Sequence, residues 1–114
     1  MVAFGQTQEK EQDDARSLAR ACSLTLDVNV YHPRKVNGEH EAFDLGFCLG
    51  LYKATFTSGS GRDFCTPDNF SIREGLENVV TFIRSHPELQ ERDSVDIIRY
   101  ALSERYPCSK EGQK

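Results

Sequence analysis

The four cysteines constrain this chain more than any other feature. Cys22, Cys48, Cys65 and Cys108 are separated by 25, 16 and 42 residues, so no C-x-x-C pair is present to hold zinc or form a thioredoxin-like redox site. An even number of widely spaced cysteines favours two structural disulfides over buried free thiols or a metal site. Because disulfides persist in the periplasm or outside the cell and are rare in reducing cytosol, the cysteines predict an oxidising compartment.

Length and charge narrow the class of protein further. In a chain of 114 residues we predict one domain over residues 13–108, with frayed ends at 1–12 and 109–114. The 14 basic and 18 acidic residues give a net charge of −4 without a Lys/Arg cluster, so nucleic acid is not an expected partner. Neither a membrane-spanning apolar stretch nor the pattern of a secretory signal is present. We expect a mature, soluble protein without a signal peptide and without a membrane partner.

Four segments carry apolar residues at helical spacing and predict an all-α protein, a small bundle of four main helices. The first helix follows Asp13 and Asp14, acids that favour a helix N-terminus. The third opens at Ser71, which forms a capping box with the glutamate three residues on, and the fourth is capped by Asp93 or Ser94. The predicted buried positions are Ala15, Leu18, Ala19 and Cys22 in the first helix; Ile72, Leu76, Val79, Val80 and Ile83 in the third; and Val95, Ile98, Ala101, Leu102 and Tyr106 in the fourth.

The second helix is predicted over about residues 39–58 and carries two stripes. Its apolar stripe is Phe43, Phe47 and Leu51, and its stripe of small residues is Ala42, Gly46, Gly50 and Ala54. Two glycines inside a helix cost about 1 kcal/mol each relative to alanine, a cost that close packing against another helix would offset. We therefore expect this helix to be central, with its small residues against a neighbouring helix. A ligand groove along the glycines is the alternative.

The segment between the first two helices is ambiguous. Residues 24–30 alternate apolar and polar side chains, which is the period of a strand. Because a lone strand has nothing to pair with, we predict an extended or partly helical connection. Pro33 disfavours helix at His32, and Asn37-Gly38 signals a turn before the second helix.

Topology predicts how the cysteines pair. If the helices alternate in direction, Cys65 before the third helix and Cys108 after the fourth lie at the same end of the bundle. Cys22, at the end of the first helix, lies near Cys48, about two turns into the second. We predict Cys22–Cys48 and Cys65–Cys108. The second bridge closes a loop of over 40 residues and contributes about 4 kcal/mol in the chain-entropy model.

The sequence offers no constellation for catalysis. Two of the three histidines, His32 and His86, lie in or beside predicted loops, each directly before a proline. All three, with His40, are best explained as turn or capping residues. A Cys/His pair would need a free thiol, which the predicted disulfides remove. The run 58–61 is glycine-rich but lacks the G-x-x-x-x-G-K-[ST] of a phosphate-binding loop, so it predicts a flexible connection. We predict no catalytic residue, no metal and no cofactor.

An ordered set of short motifs occupies residues 42–108. It consists of Phe47-Cys48-Leu49-Gly50, Phe64-Cys65-Thr66-Pro67, the run 71–83 with Val79-Val80, His86-Pro87-Glu88, Ala101-Leu102 and Tyr106-Pro107-Cys108. In this set the chain resembles the Tai/Rap family of type VI secretion amidase immunity proteins. The first helix and residues 23–41 match only in the presence of a cysteine. The chain departs from the family at Ala54, where glycine is more frequent, and at Ser94, where alanine is.

The resemblance implies a periplasmic antitoxin, often a homodimer, that binds and blocks a peptidoglycan-cleaving amidase delivered by type VI secretion. The effector would be a papain-like Cys/His amidase whose cleft a loop or helix edge enters. The candidate contacts are His86, Glu88, Gln90, Glu91, Arg92 and Asp93 between the third and fourth helices, and Gly59, Ser60, Gly61 and Arg62 after the second. The signature residues 86–88 are suited to shaping the turn, so residues 90–92 are the better candidates for specificity.

The side of the second helix with Ala42, Gly46 and Gly50 has few charges and is the candidate for a helix-to-helix dimer contact. The alternative function is a small periplasmic stress chaperone or another helical interaction protein. An enzyme is the least favoured class, because no acid, base, nucleophile and cleft can be assembled from these residues.

Overall fold

A computed structural model describes residues 14–108, and every regular element within that range is helical. The main helices are α1 (Ala15–Leu26), α2 (Gly38–Gly59), α3 (Ile72–Ser85) and α4 (Ser94–Arg105). A π-helical turn, Asp27–Tyr31, follows α1, and a 3-10 turn, Pro87–Leu89, follows α3. The prediction of an all-α protein with four main helices is confirmed. The predictions for Asp13 and for the frayed ends 1–12 and 109–114 lie outside the described residues.

Side-chain caps define where three of the helices begin. The carboxylate of Asp14 accepts a hydrogen bond from the Ser17 N–H at 2.9 Å. At α3 the Ser71 hydroxyl accepts from the Glu74 N–H at 3.2 Å, as predicted. The Glu74 carboxylate does not complete the capping box, because it accepts instead from the Tyr106 hydroxyl at 3.1 Å. Each cap satisfies backbone donors that the first helical turn leaves unpaired.

The central helix is α1, not α2 as predicted. Eight of the 12 residues of α1 are buried, and the helix packs against α2, α3 and, less extensively, α4. By contrast, α2 buries only four of its 22 residues, Cys48, Tyr52, Thr55 and Gly59. The small residues of α1, among them Ala15, Ala19 and Ala21, let three neighbours approach it closely.

The predicted packing of the small-residue stripe is wrong. Ala42, Gly46, Gly50 and Ala54 are all exposed, and nothing lies within 4 Å of where a Cβ would stand at either glycine. The apolar stripe is only partly buried, since Phe43 is 50% exposed while Phe47 and Leu51 are half-buried. The reason is that the Cys48 bridge turns a different face of α2 toward α1.

The remaining packing predictions are confirmed with two exceptions. Ile72 is 47% exposed, because it stands at the first residue of α3, at the surface beside Tyr52, Phe56 and Phe70. Val95 is only half-buried, and Ile97, which the sequence reasoning passed over, lies in the core with Ile98.

The ambiguous segment 24–31 is helical. After Leu26 the helix widens into the π-helical turn, where the His32 N–H bonds to the Asp27 carbonyl at 2.6 Å. This wider turn keeps Val28 in the core, 2% exposed. The helix ends at Tyr31, directly before His32 and Pro33, as the proline predicts.

The two disulfides pair as predicted. Cys22–Cys48 joins α1 to α2 in the core with the Cα atoms 5.2 Å apart. Cys65–Cys108 joins the segment before α3 to the end of the described chain, with the Cα atoms 4.9 Å apart. Beside this second bridge, the Cys65 N–H donates to the Tyr106 carbonyl at 2.8 Å. Together the bridges tie all four helices into one unit.

An aromatic cluster fills the space between α2, α3 and the segment that joins them. Phe56 lies with its ring centroid 5.3 Å from that of Phe64 and 5.5 Å from that of Phe70, which meets Tyr106 edge-on at 5.1 Å. Gly75 of α3 is essential here, because a Cβ at this position would overlap the Tyr52 hydroxyl and stand 2.7 Å from the Phe70 ring. Within residues 14–108, no helix has the length and apolar character that crossing a membrane requires.

Candidate partner-binding surface

The connection between α3 and α4, residues 86–93, is held to α1 by its main chain. The Gln90 carbonyl accepts from the Arg16 N–H at 3.0 Å, and the Arg92 carbonyl accepts from the Ala15 N–H at 2.9 Å. From the far side, the Ser94 hydroxyl donates to the Asp14 carbonyl at 3.1 Å. The connection therefore supplies acceptors for the first N–H groups of α1, which is why it is ordered although it is not a long helix.

Three of the six predicted contact residues in this connection use their side chains to shape it. His86 donates from Nδ1 to the Phe82 carbonyl at 2.8 Å and stacks on the Phe82 ring at 4.2 Å. The Gln90 amide donates to the Ile83 carbonyl at 2.8 Å, so the last turn of α3 is capped from below. Asp93 caps α4, accepting from the Val95 and Asp96 N–H groups at 3.1 and 3.3 Å.

The other three residues, Glu88, Glu91 and Arg92, are exposed. The backbone of this connection is already held in place by hydrogen bonds. Binding of a partner to these three residues would therefore restrict little more than their side chains. Of the three residues favoured for specificity, the structure thus separates Gln90, which is committed to α3, from Glu91 and Arg92, which face solvent.

The second predicted loop is a tight turn after α2. The Gly59 carbonyl accepts from the Asp63 N–H at 2.8 Å, and Gly61 donates its N–H to the Phe64 carbonyl at 2.8 Å with φ at 85°. Gly59 itself is buried, and a Cβ there would stand 2.8 Å from the Phe64 ring. Ser60, Gly61 and Arg62 are exposed, so they are the residues of this loop that a partner can reach.

Helix α4 runs between the two loops. The Ser103 hydroxyl donates to the Asp63 carbonyl at 2.9 Å, and the Arg99 guanidinium lies 3.6 Å from the Asp63 carboxylate. The first loop ends at Asp93, and Ser103 lies ten residues further along α4. Ten residues correspond to about 15 Å along the helix axis. A single partner surface can therefore touch both loops across the outward side of α4.

Tyr100 is a residue of this surface that the sequence reasoning missed. It lies on the outward side of α4, close to Asp96 and Arg99, and is 56% exposed. Its ring centroid stands 6.2 Å from that of Phe82, which in turn stacks on His86. The sequence contains one signal for Tyr100, because this aromatic residue occupies a position where the apolar periodicity of α4 predicts a polar side chain. Exposed tyrosines of this kind are enriched among the anchor residues of protein interfaces.

The described residues present little that could serve catalysis. Within residues 14–108 no group of three or more His, Cys, Asp or Glu side chains is placed to hold a metal ion. All four cysteines are in disulfides. His32 is exposed and its Nδ1 lies 2.6 Å from the Asp27 carboxylate, which is a local contact at the end of the π-helical turn.

Comparison with known protein families decides the class. The sequence model of the Rap1a immunity proteins matches residues 14–108. The chain belongs to the Rap1a immunity protein family. This match includes α1 and residues 23–41, which lie outside the short motifs, and it includes both disulfides.

Membership of the Rap1a immunity protein family indicates that this chain binds a cognate effector. Among curated proteins nothing matches the chain, and the same is true among solved structures. The two cysteine bridges of this Rap1a member fit an oxidising compartment such as the periplasm.

Proposed function

We propose that this Rap1a family member is a periplasmic immunity protein that binds and inhibits a type VI secreted peptidoglycan amidase and so protects the producing cell or its kin. The observation that carries the proposal is the family match over residues 14–108, which spans the whole described fold. The resemblance of its motifs to amidase immunity proteins supports the amidase as the target. Two disulfides support the periplasm as the place of action.

The surface proposed to meet the amidase consists of the two loops and the outward side of α4. Its contact residues are Glu88, Glu91 and Arg92 on one loop, Ser60, Gly61 and Arg62 on the other, and Tyr100 between them. His86, Gln90, Asp93 and Gly59 support these residues through their contacts within the chain. Inhibition follows if the surface covers the cleft of a papain-like Cys/His amidase and excludes the cell-wall peptide.

The direct test looks for an amidase gene beside the gene for this chain and uses its product as the effector. The effector is exported to the periplasm with and without the immunity protein, and survival of the cells is followed together with hydrolysis of purified peptidoglycan in vitro. We expect protection and loss of hydrolysis at equimolar protein. Continued lysis with correctly oxidised immunity protein present would rule out this effector as its partner.

The contact surface is tested by Tyr100→Ala and by Arg92→Ala combined with Glu91→Ala. We expect each variant to keep its fold and to weaken effector binding, Tyr100→Ala by roughly 30-fold or more, as for an interface anchor. Asn29→Ala, at an exposed position of the π-helical turn outside both loops, is the matched control. Unchanged calorimetric affinity in both loop and Tyr100 variants would place the interface elsewhere.

We also propose that the protein is a homodimer. The supporting observation is that α2 is apolar on more than one side yet buries only four of its 22 residues. A helix with this composition is normally covered on the remaining side by another helix.

A further inference from the structure

The two disulfides differ in how far solvent reaches them. Cys22 and Cys48 are enclosed by the core, with 1% and 0% of each residue exposed. Cys65 and Cys108 are only half-buried, so each keeps part of its surface in contact with solvent. Thiol–disulfide exchange requires a thiolate to reach one of the two sulfur atoms, and its rate therefore depends on access. Access favours reaction at the second bridge in the folded protein, whereas the first bridge is reached only when the core opens.

The surroundings of the second bridge hold its two sides in place by other contacts as well. Phe64, directly before the bridge, is fully buried. On the other side, the Tyr106 hydroxyl donates to the Glu74 carboxylate at 3.1 Å, and the Tyr106 ring packs edge-on against Phe70. These contacts do not depend on the sulfur atoms, so the core retains them when the bridge opens.

The second bridge also restrains the turn after α2, residues 59–64, against the end of α4. The Asp63 carbonyl accepts from the Ser103 hydroxyl at 2.9 Å, and the Cys65 N–H donates to the Tyr106 carbonyl at 2.8 Å. The second of these hydrogen bonds lies directly beside the bridge and is the one that opening of the bridge would weaken. The exposed residues 60–62 of the turn stand only a few positions before it.

We propose that Cys65–Cys108 is a site of thiol–disulfide exchange, at which a dithiol reductant opens the bridge in the folded protein and loosens the turn after α2. A thiolate of the reductant attacks one sulfur of the bridge, which forms a mixed disulfide and releases the other cysteine. The second thiol of the reductant then attacks the reductant's own sulfur in the mixed disulfide and releases the second cysteine. Two electrons and two protons pass from the dithiol to the chain, which is left with two thiols, and the reductant becomes a disulfide.

The chemical class of partner for this site is a dithiol protein of the compartment in which the chain acts. Loosening of the turn lowers the affinity for the effector, because the turn must then be ordered again when the effector binds. This last step rests on the proposed function, whereas the exchange reaction does not.

Thiol labelling of the oxidised parent tests the exchange site. The folded protein is incubated with dithiothreitol, free thiols are trapped with iodoacetamide, and the labelled cysteines are identified by peptide mass spectrometry. We expect Cys65 and Cys108 to be labelled roughly tenfold or more faster than Cys22 and Cys48. The denatured protein is the control, in which the two pairs should be labelled at similar rates. Equal labelling of the two pairs in the folded protein, faster labelling of Cys22 and Cys48, or no labelling of either pair would overturn the inference.

Hydrogen exchange tests the loosening. In the double variant Cys65→Ser, Cys108→Ser, the backbone amide at position 65 should exchange about fivefold or more faster than in the oxidised parent. The Gly61 amide is the matched control, because its hydrogen bond to the Phe64 carbonyl lies within the turn and should be kept. Unchanged exchange at position 65 would overturn the proposed loosening.

Effector affinity is then measured with and without dithiothreitol for the parent and for the same double variant. We expect the reductant to lower the affinity of the parent roughly threefold or more, toward that of the double variant, and to leave the double variant unchanged. The double variant also controls for an action of the reductant on the effector itself. An equal response of both proteins, or no response of the parent, would overturn the link to binding. A parent that binds no amidase in either state contradicts the proposed function, while the labelling pattern still decides the exchange site.

Discussion

At the scale of single residues, the glycines show how far sequence alone can go. Gly46 and Gly50 recur at helical spacing and therefore look like packing residues, yet both face open space. Gly75 stands alone in α3 without any such pattern, yet it is the glycine whose missing side chain makes room for Tyr52 and Phe70. Spacing reveals which residues share a face. It does not reveal which face another element will cover.

The same substitution at these two kinds of glycine should have opposite effects. Gly75→Ala inserts a methyl group where the Tyr52 hydroxyl and Phe70 ring already lie, and we expect it to lower the free energy of unfolding by about 1–3 kcal/mol. Gly50→Ala should raise it by up to about 1 kcal/mol, because it adds helix propensity without a clash. Urea denaturation of both variants measures the difference. Equal effects would show that Gly75 is not tightly packed.

The buried hydroxyl of Tyr52 predicts how the free energy of unfolding depends on pH. Its hydroxyl is buried without a hydrogen-bond partner among the described residues, and burial raises its pKa above the ordinary value of 10.0. The folded state therefore favours the protonated form, and the resulting stability is full below the unfolded pKa and declines as the pH rises above about 10. Tyr52→Phe should make the free energy of unfolding fall less between pH 9 and about pH 11. At neutral pH it should raise that free energy by up to about 1 kcal/mol, since an unpaired buried polar group is removed. If the free energy of unfolding of the variant depends on alkaline pH in the same way as that of the parent, other tyrosines dominate this pH dependence.

At the scale of elements, helix starts and stops were predictable because they depend on local chemistry. Asp14, Ser71 and Asp93 cap the helices that the sequence places after them, and Pro33 and Pro87 follow helix ends. The π-helical turn was not predictable, because its alternating side chains match a strand as well as a buried helical turn. The role of Gln90 was also hidden, because its carbonyl accepts from Arg16 of α1, which is distant in sequence, while its amide donates to Ile83 in the last turn of α3.

In the α3–α4 connection, some side chains form hydrogen bonds that shape the connection and others are exposed. Substitutions of the two kinds should therefore differ in their effect on the free energy of unfolding. Asp93→Ala removes the cap of α4 and should lower the free energy of unfolding by about 1 kcal/mol. Glu91→Ala, two residues earlier and exposed, should leave it within about 0.5 kcal/mol of the parent. Thermal and urea unfolding measure both. A large loss in the Glu91 variant would mean that its side chain supports the fold.

At the scale of the whole molecule, the cysteine spacing and the four helical periods sufficed to predict the class of fold and both bridges. The arrangement around α1 could not be obtained in this way, because it depends on which faces meet once Cys22 and Cys48 are joined. Only part of the candidate surface was predicted from the sequence. Its two loops carry turn signals, whereas Tyr100 joins them only through the three-dimensional course of α4.

Removal of the second bridge has a predictable cost. Replacing both Cys65 and Cys108 with serine should lower the free energy of unfolding by about 4 kcal/mol, because the unfolded chain regains the freedom of a long loop. The sequence separation of 43 residues sets this estimate. Urea denaturation under identical buffer conditions provides the measurement, with the reduced parent protein as a reference. A loss well under half of this value would contradict the loop-entropy estimate.

The attachment of the α3–α4 connection by its carbonyl groups has an evolutionary consequence. Main-chain acceptors are the same whatever side chain a residue carries, so Glu91 and Arg92 can be exchanged without loosening the support beneath α1. An antitoxin that must keep pace with a changing toxin gains from such a separation. The residues proposed for recognition can diverge rapidly while the fold that presents them is inherited unaltered.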